Sequence, residues 1–124
     1  LLKMLQKYPE YEQEVKVPEK VWSLRIWYMY EQNVCTLIDV NERERKVKIR
    51  NYTDKVMFRA FGTVEDPNYN DYQEFLESRC FPESRDKMKL ILKDLGLPFY
   101  DPIMIIEKTE GRMAEDDFWI RIER

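Results

Sequence analysis

The chain has 124 residues, 44% hydrophobic and 36% charged, with 21 basic against 24 acidic side chains and a formal net charge of −3. That length suits one core, and so much apolar content at so little net charge excludes a disordered body. The balance also argues against a bulk electrostatic partner, since a dedicated nucleic-acid binder is clearly basic and a DNA mimic far more acidic.

Aromatic residues reach 14%, with eight Tyr, six Phe and three Trp, and their large buried areas help a small domain hold together. Cys35 and Cys80 follow no metal spacing and read as reduced core thiols. No signal-peptide pattern occurs, and no apolar run approaches the roughly 18 residues of a membrane span, which points to the cytoplasm. The chain begins at Leu1 rather than Met, so its true start, or the rest of a longer protein, can lie outside it.

Residues 1–20 read as a lead-in, partly mobile or docked on another surface. Leu1, Leu2, Met4 and Leu5 suit a turn of helix, interrupted at Tyr8-Pro9-Glu10 and again at Val17-Pro18-Glu19. From Trp22 the period becomes two: Trp22, Leu24, Ile26, Tyr28 and Tyr30 share a face, with Trp27 and Met29 on the other. After a turn at 31–33, Val34 to Val40 form a second strand, and Lys46 to Arg50 a third. Three strands joined by short turns make an antiparallel meander.

The remainder predicts helices. Thr53 caps a short helix ending at Phe61–Gly62, Asn70 caps a second holding Tyr72, Phe75 and Leu76, and Pro82 opens a third holding Met88, Ile91, Leu92 and Leu95. Gly96 stops the third helix. Asp101-Pro102 opens a fourth over Ile103 to Lys108, closed by Gly111, and Phe118, Ile120 and Ile122 alternate as a last strand joining the meander. The expected fold is α+β: a meander of three strands plus a C-terminal strand against three to four short helices, with 21–124 as one domain.

The chain contains no His, so the commonest general base and metal ligand are both missing. Glycine-rich phosphate loops, nucleophile elbows and Cys-x-x-Cys pairs do not occur either. The reading is a chain without catalytic, metal-binding or cofactor-binding residues, although its many carboxylates leave a carboxylate-dependent enzyme open. Three features carry recognition chemistry instead. Arg43, Arg45, Lys46, Lys48 and Arg50 crowd one hairpin, where Lys46, Lys48 and Arg50 share a face while Val47 and Ile49 turn to the core. That ridge can meet phosphates, or simply keep an exposed strand soluble, and the absence of aromatics among its cations favours the second. Arg79 and Arg85 flank a Pro82 corner, with guanidinium forks suited either to partner carboxylates or to pinning the corner internally; pinning is favoured. Glu115-Asp116-Asp117 beside Phe118 and Trp119 can receive a basic partner, or serve as a turn before a core strand; Trp119 fits both readings and Phe118 the core.

The order F-L-E-S-R-C-F-P-E-S-R (75–85), L-I-L-K-D-L-G-L (90–97), Y-D-P-I-M-I-I-E-K-T-E-G (100–111) and D-D-F-W-I (116–120) resembles the stretch preceding the kinase core in short HipA-like proteins. The resemblance covers roughly residues 70–124. It implies an accessory domain of bacterial or mobile-element genes, antitoxin-like or inhibitory, with Arg79, Pro82, Arg85, Asp117 and Trp119 at matching positions. No kinase residue carries over, for the chain lacks both a phosphate-binding loop and a catalytic Asp-x-x-x-x-Asn segment. The expectation is therefore a non-catalytic protein-interaction or regulatory domain binding a protein partner through Arg79, Arg85, Asp117 and Trp119. The alternative is nucleic-acid binding through the 43–50 hairpin. Homodimerisation is a further expectation, because Trp27 and Met29 leave large apolar groups on the minority face.

Overall fold

The computed structural model describes residues 2–7 and 14–124, with side chains from Val15 onward. Six strands and three helices follow in the order β1 (Leu2–Lys7), β2 (Glu14–Pro18), β3 (Leu24–Tyr30), β4 (Asn33–Asn41), β5 (Lys46–Asn51), α1 (Tyr69–Ser78), α2 (Met88–Leu95), α3 (Pro102–Thr109) and β6 (Phe118–Glu123). The fold is α+β. Four strands form an antiparallel sheet in the order β5-β4-β3-β6, and β1 and β2 pair as a separate two-stranded sheet.

The last strand joins the meander as its alternation predicts, lying antiparallel beside β3 with Tyr28 opposite Ile120. One face of the sheet packs on the helices through Leu24, Ile26, Tyr28, Ile38, Val40, Phe75, Leu76, Ile105, Ile106 and Ile120. The other face carries Trp27, Met29, Val34 and Leu37, and Val15 and Val17 of β2 close over it. Trp27 and Met29 are each only 1% exposed, so the apolar surface that suggested a homodimer is filled by the chain's own hairpin. Leu2–Lys7 is thus a strand and not the expected helical turn. One isolated turn forms few hydrogen bonds for the dihedrals it fixes, whereas pairing with β2 satisfies the backbone along its length.

Period two breaks inside β4. Tyr28 faces Thr36 while Met29 faces Val34, leaving Cys35 as the extra residue of a bulge. Cys35 therefore joins the helix-side core and Leu37 the hairpin side.

The helix between Thr53 and Phe61 shrinks to a 3-10 turn over Val56–Phe58. The Ala60 N–H that would extend it donates instead to Thr36 Oγ1 at 3.1 Å, and Arg59 is extended. Asn68, not Asn70, caps α1: its side chain accepts from Asp71 N–H while Asp71 accepts from Asn68 N–H, a reciprocal capping box. Pro82 does not open α2. Residues 82–87 turn first, and Lys87, at φ 60°, prevents helix from running back into that turn. The predicted ends at Gly96 and Asp101-Pro102 stand, with Asp101 accepting from Ile103 N–H at 3.1 Å. Within the described residues, no helix is long and apolar enough to cross a membrane.

Candidate partner-binding groove

Where α3 ends, Glu110 and Gly111 both take positive φ, at 58° and 62°. A Cβ at Gly111 would meet Ile120 Cδ1 at 3.1 Å and Arg79 Cβ at 3.5 Å, so glycine is needed there for space as well as conformation. That close approach lets Arg79, at the C-terminal end of α1, reach the returning chain. Its Nε donates to Gly111 C=O (3.0 Å), Nη1 and Nη2 form a fork on Asp116 (3.0 Å each), and Nη2 also donates to Phe118 C=O (3.0 Å). Arg79 is buried and acts as an internal latch holding the 111–118 segment to α1.

The latch positions a surface groove of about 590 Å³ lined by Glu31, Gln32, Arg112, Met113, Asp116, Asp117, Phe118 and Trp119. Trp119 extends the hairpin-side core at its rim. Its Nε1 donates to Glu31 C=O at 2.7 Å, and the Arg112 guanidinium lies over its ring at 4.9 Å. The backbone of Asp117 accepts from Glu31 N–H at 3.1 Å, leaving its exposed carboxylate at the mouth. Phe118 turns the other way, stacked on Tyr28 with ring centroids 4.9 Å apart.

Of the sequence-selected partner residues, Asp117 and Trp119 line the groove and Arg79 braces it from behind. Arg85 is elsewhere: it is exposed after the Pro82 turn, with its guanidinium 5.9 Å from the Phe81 ring. Arg112 and Glu31 are the residues that sequence reasoning missed, and Asp116, seen there as part of the acidic run, was not matched to Arg79. Arg79 and Asp116 are 37 positions apart, and nothing local announces such a pair.

Arg79 holds the Asp116 carboxyl below the usual carboxylate range, chiefly through their hydrogen bonds. A depressed folded-state value gives stability that is complete above the unfolded pKa of about 3.9 and is lost as pH falls through the folded one. Asp116→Asn is therefore expected to be less stable than wild type at pH 7, with the gap narrowing below about pH 4. Urea unfolding of both proteins at pH 7 and pH 3 reads this directly; a gap that widens on acidification rules the linkage out.

The basic hairpin does not form one patch. Arg43 is exposed in the turn, and Arg45 leans over Tyr69 of α1 at 4.6 Å. Lys46 pairs with Glu44 at 3.1 Å in solvent, while Lys48 and Arg50 border a cleft of about 270 Å³ with Trp22 and Asp39. Lys48 Nζ lies 4.7 Å from the Trp22 ring centre. An aromatic does accompany these cations, then: the alternation put Trp22 on the Leu24 face of the first strand, but β3 begins only at Leu24 and Trp22 lies against Lys48 instead.

Burial pushes the Cys35 thiol up to about 11 and Cys80 to about 12, so both stay protonated and unreactive at neutral pH. Among the described residues, no group of three or more His, Cys, Asp or Glu is placed to hold a metal ion. Compared with protein-family models, curated proteins and solved structures, the chain matches none of them.

Proposed function

We propose that this chain is a non-catalytic protein-interaction domain that takes a basic, partly apolar segment of a protein partner into the Trp119 groove. The observation that carries the reading is the groove's make-up: two carboxylates, Glu31 and Asp117, line it with a half-buried indole and one cation, Arg112, while the third, Asp116, is neutralised by Arg79. A Trp with its polar atom engaged and part of its ring at the surface suits an interface anchor, and acids at its rim steer a cationic partner. Arg79 contributes by pre-organising the loop, which lowers the ordering cost of binding. The resemblance of roughly residues 70–124 to HipA-like proteins adds an antitoxin-like or inhibitory accessory role, of the kind carried by mobile elements, acting in the cytoplasm on a kinase-like partner.

The test is capture from cells that natively carry the chain, at mild salt, with tagged wild type, Glu31→Lys with Asp117→Lys, and Lys48→Glu with Arg50→Glu. A partner held by wild type and by the β5 variant, but reduced about tenfold by the groove variant, is the expected result. A partner that the groove variant retains in full, or no partner at all, overturns it.

A further inference from the structure

The two edges of the four-stranded sheet are treated differently. Three backbone hydrogen bonds fix the phase of its ladders: Tyr52 N–H to Cys35 C=O (2.9 Å), Glu31 N–H to Asp117 C=O (3.1 Å) and Ile120 N–H to Glu110 C=O (2.7 Å). Hydrogen-bonded and non-bonded pairs alternate in antiparallel ladders. Continuing from Glu31–Asp117, the odd-numbered residues of β3 bond β6, so Ile120 points its N–H outward, where Glu110 at the end of α3 receives it. That edge is covered at Ile120 and at Phe118, whose N–H donates to Asp116 and whose C=O accepts from Arg79. Continuing from Tyr52–Cys35, Arg50, Lys48 and Lys46 bond β4, so Val47 and Ile49 present their N–H and C=O groups outward from β5. Among the described residues no backbone or side-chain group meets them.

This open edge carries Lys46, Lys48 and Arg50 at period two on the hairpin-side face, opposite Asn41, Asp39 and Leu37 of β4. Asp39 is already committed to Arg25 through bonds of 2.7 and 3.0 Å, and Glu44 offsets only Lys46, so Lys48 and Arg50 leave the face net positive. Two copies pairing through β5 would set cations against cations, which disfavours self-association at this edge. A strand with acids at alternate positions meets the opposite situation, with every cross-strand neighbour on that face complementary.

We propose that β5 is a strand-addition site for an extended acidic peptide segment, which joins the sheet as a fifth strand. Its backbone pairs with the outward groups of Val47 and Ile49, its carboxylates face Lys46, Lys48 and Arg50, and its alternate apolar residues extend the Val47–Ile49 side of the core. The site is independent of the Trp119 groove, which lies beyond the opposite side of the sheet. A nucleic-acid strand could use the same cations, but it would leave the outward backbone groups idle.

The probe is a fluorescein-labelled eight-residue peptide alternating Glu and Val, followed by anisotropy on the purified chain at low salt. A Lys–Val peptide and a twelve-nucleotide oligothymidylate serve as comparators. The expected result is binding of the Glu–Val peptide alone, weakened about tenfold by Val47→Pro, which removes an outward N–H but no bond to β4. Lys48→Glu with Arg50→Glu is expected to weaken it at least as much while leaving the far-UV spectrum unchanged, and it decides the matter if the proline variant does not fold. No peptide binding, binding indifferent to the charge reversal or to a folded proline variant, or preference for the oligothymidylate overturns the proposal.

Discussion

Replacing Arg79 by Ala is expected to destabilise the chain by about 3 kcal/mol, which for a domain of this size lowers Tm by about 10 °C. The guanidinium is 7% exposed and its partner Asp116 is 32% exposed, so the pair is desolvated on one side only. Truncation strands the Gly111 and Phe118 carbonyls and one face of a carboxylate, and loses the packing of the aliphatic stem. The solvated side of Asp116 keeps the cost at the lower end for a broken buried pair. Arg79→Lys retains the charge but not the fork that reaches three acceptors, so it recovers only part of the loss. Thermal and urea unfolding check the order: wild type, then Lys, then Ala. An Ala variant within about 0.5 kcal/mol of wild type, the range of an ordinary surface substitution, denies Arg79 its latch role.

Arg25→Ala is expected to cost more, about 4 kcal/mol. Arg25 is 1% exposed beneath the β1–β2 hairpin, with Asp39 at 17%, so removing the cation leaves a largely dehydrated carboxylate and a cavity. Beside it, Trp27 Nε1 donates to Glu123 at 3.1 Å and Arg121 lies over the Trp27 ring, so this face combines apolar packing with paired charge. The informative comparison is the double change Arg25→Met with Asp39→Leu. Removing both charges returns stability to within about 1 kcal/mol of wild type, because the pair's attraction mostly offsets its desolvation. Urea unfolding of the two variants separates these effects, and a double variant as unstable as Arg25→Ala means that the charges themselves stabilise the fold.

The parts of this fold that were legible in sequence are those set by short-range rules. The strand alternation of Leu24–Tyr30 and Phe118–Glu123, the stop at Gly96 and the Asp101-Pro102 start are all local, and the structure follows them. Long-range competition decided the exceptions. Thr36 draws the Ala60 N–H away from a helix, and β2 draws Leu2–Lys7 into a strand. The capping box at Asn68 was within reach of sequence reasoning, since an acid stands three positions later at Asp71, yet Asn70 competes for the same role and the spacing to the first core residue does not separate them. At the groove, Asp117 and Trp119 stand out as an acidic run meeting an aromatic pair. Arg112, Glu31 and the Arg79–Asp116 fork become neighbours only when β6 returns beside β3. An exposed arginine and a latched one look the same in sequence, so Arg79 and Arg85 were indistinguishable there.

The groove assignment is tested most directly by hydrogen–deuterium exchange of the full chain, free and bound to the partner it captures. The account predicts new protection over residues 112–119 and at Glu31–Gln32, with exchange in 46–51 unchanged by that partner. Protection confined to β5, to α2 or to any other surface, with 112–119 exchanging as in the free chain, contradicts it.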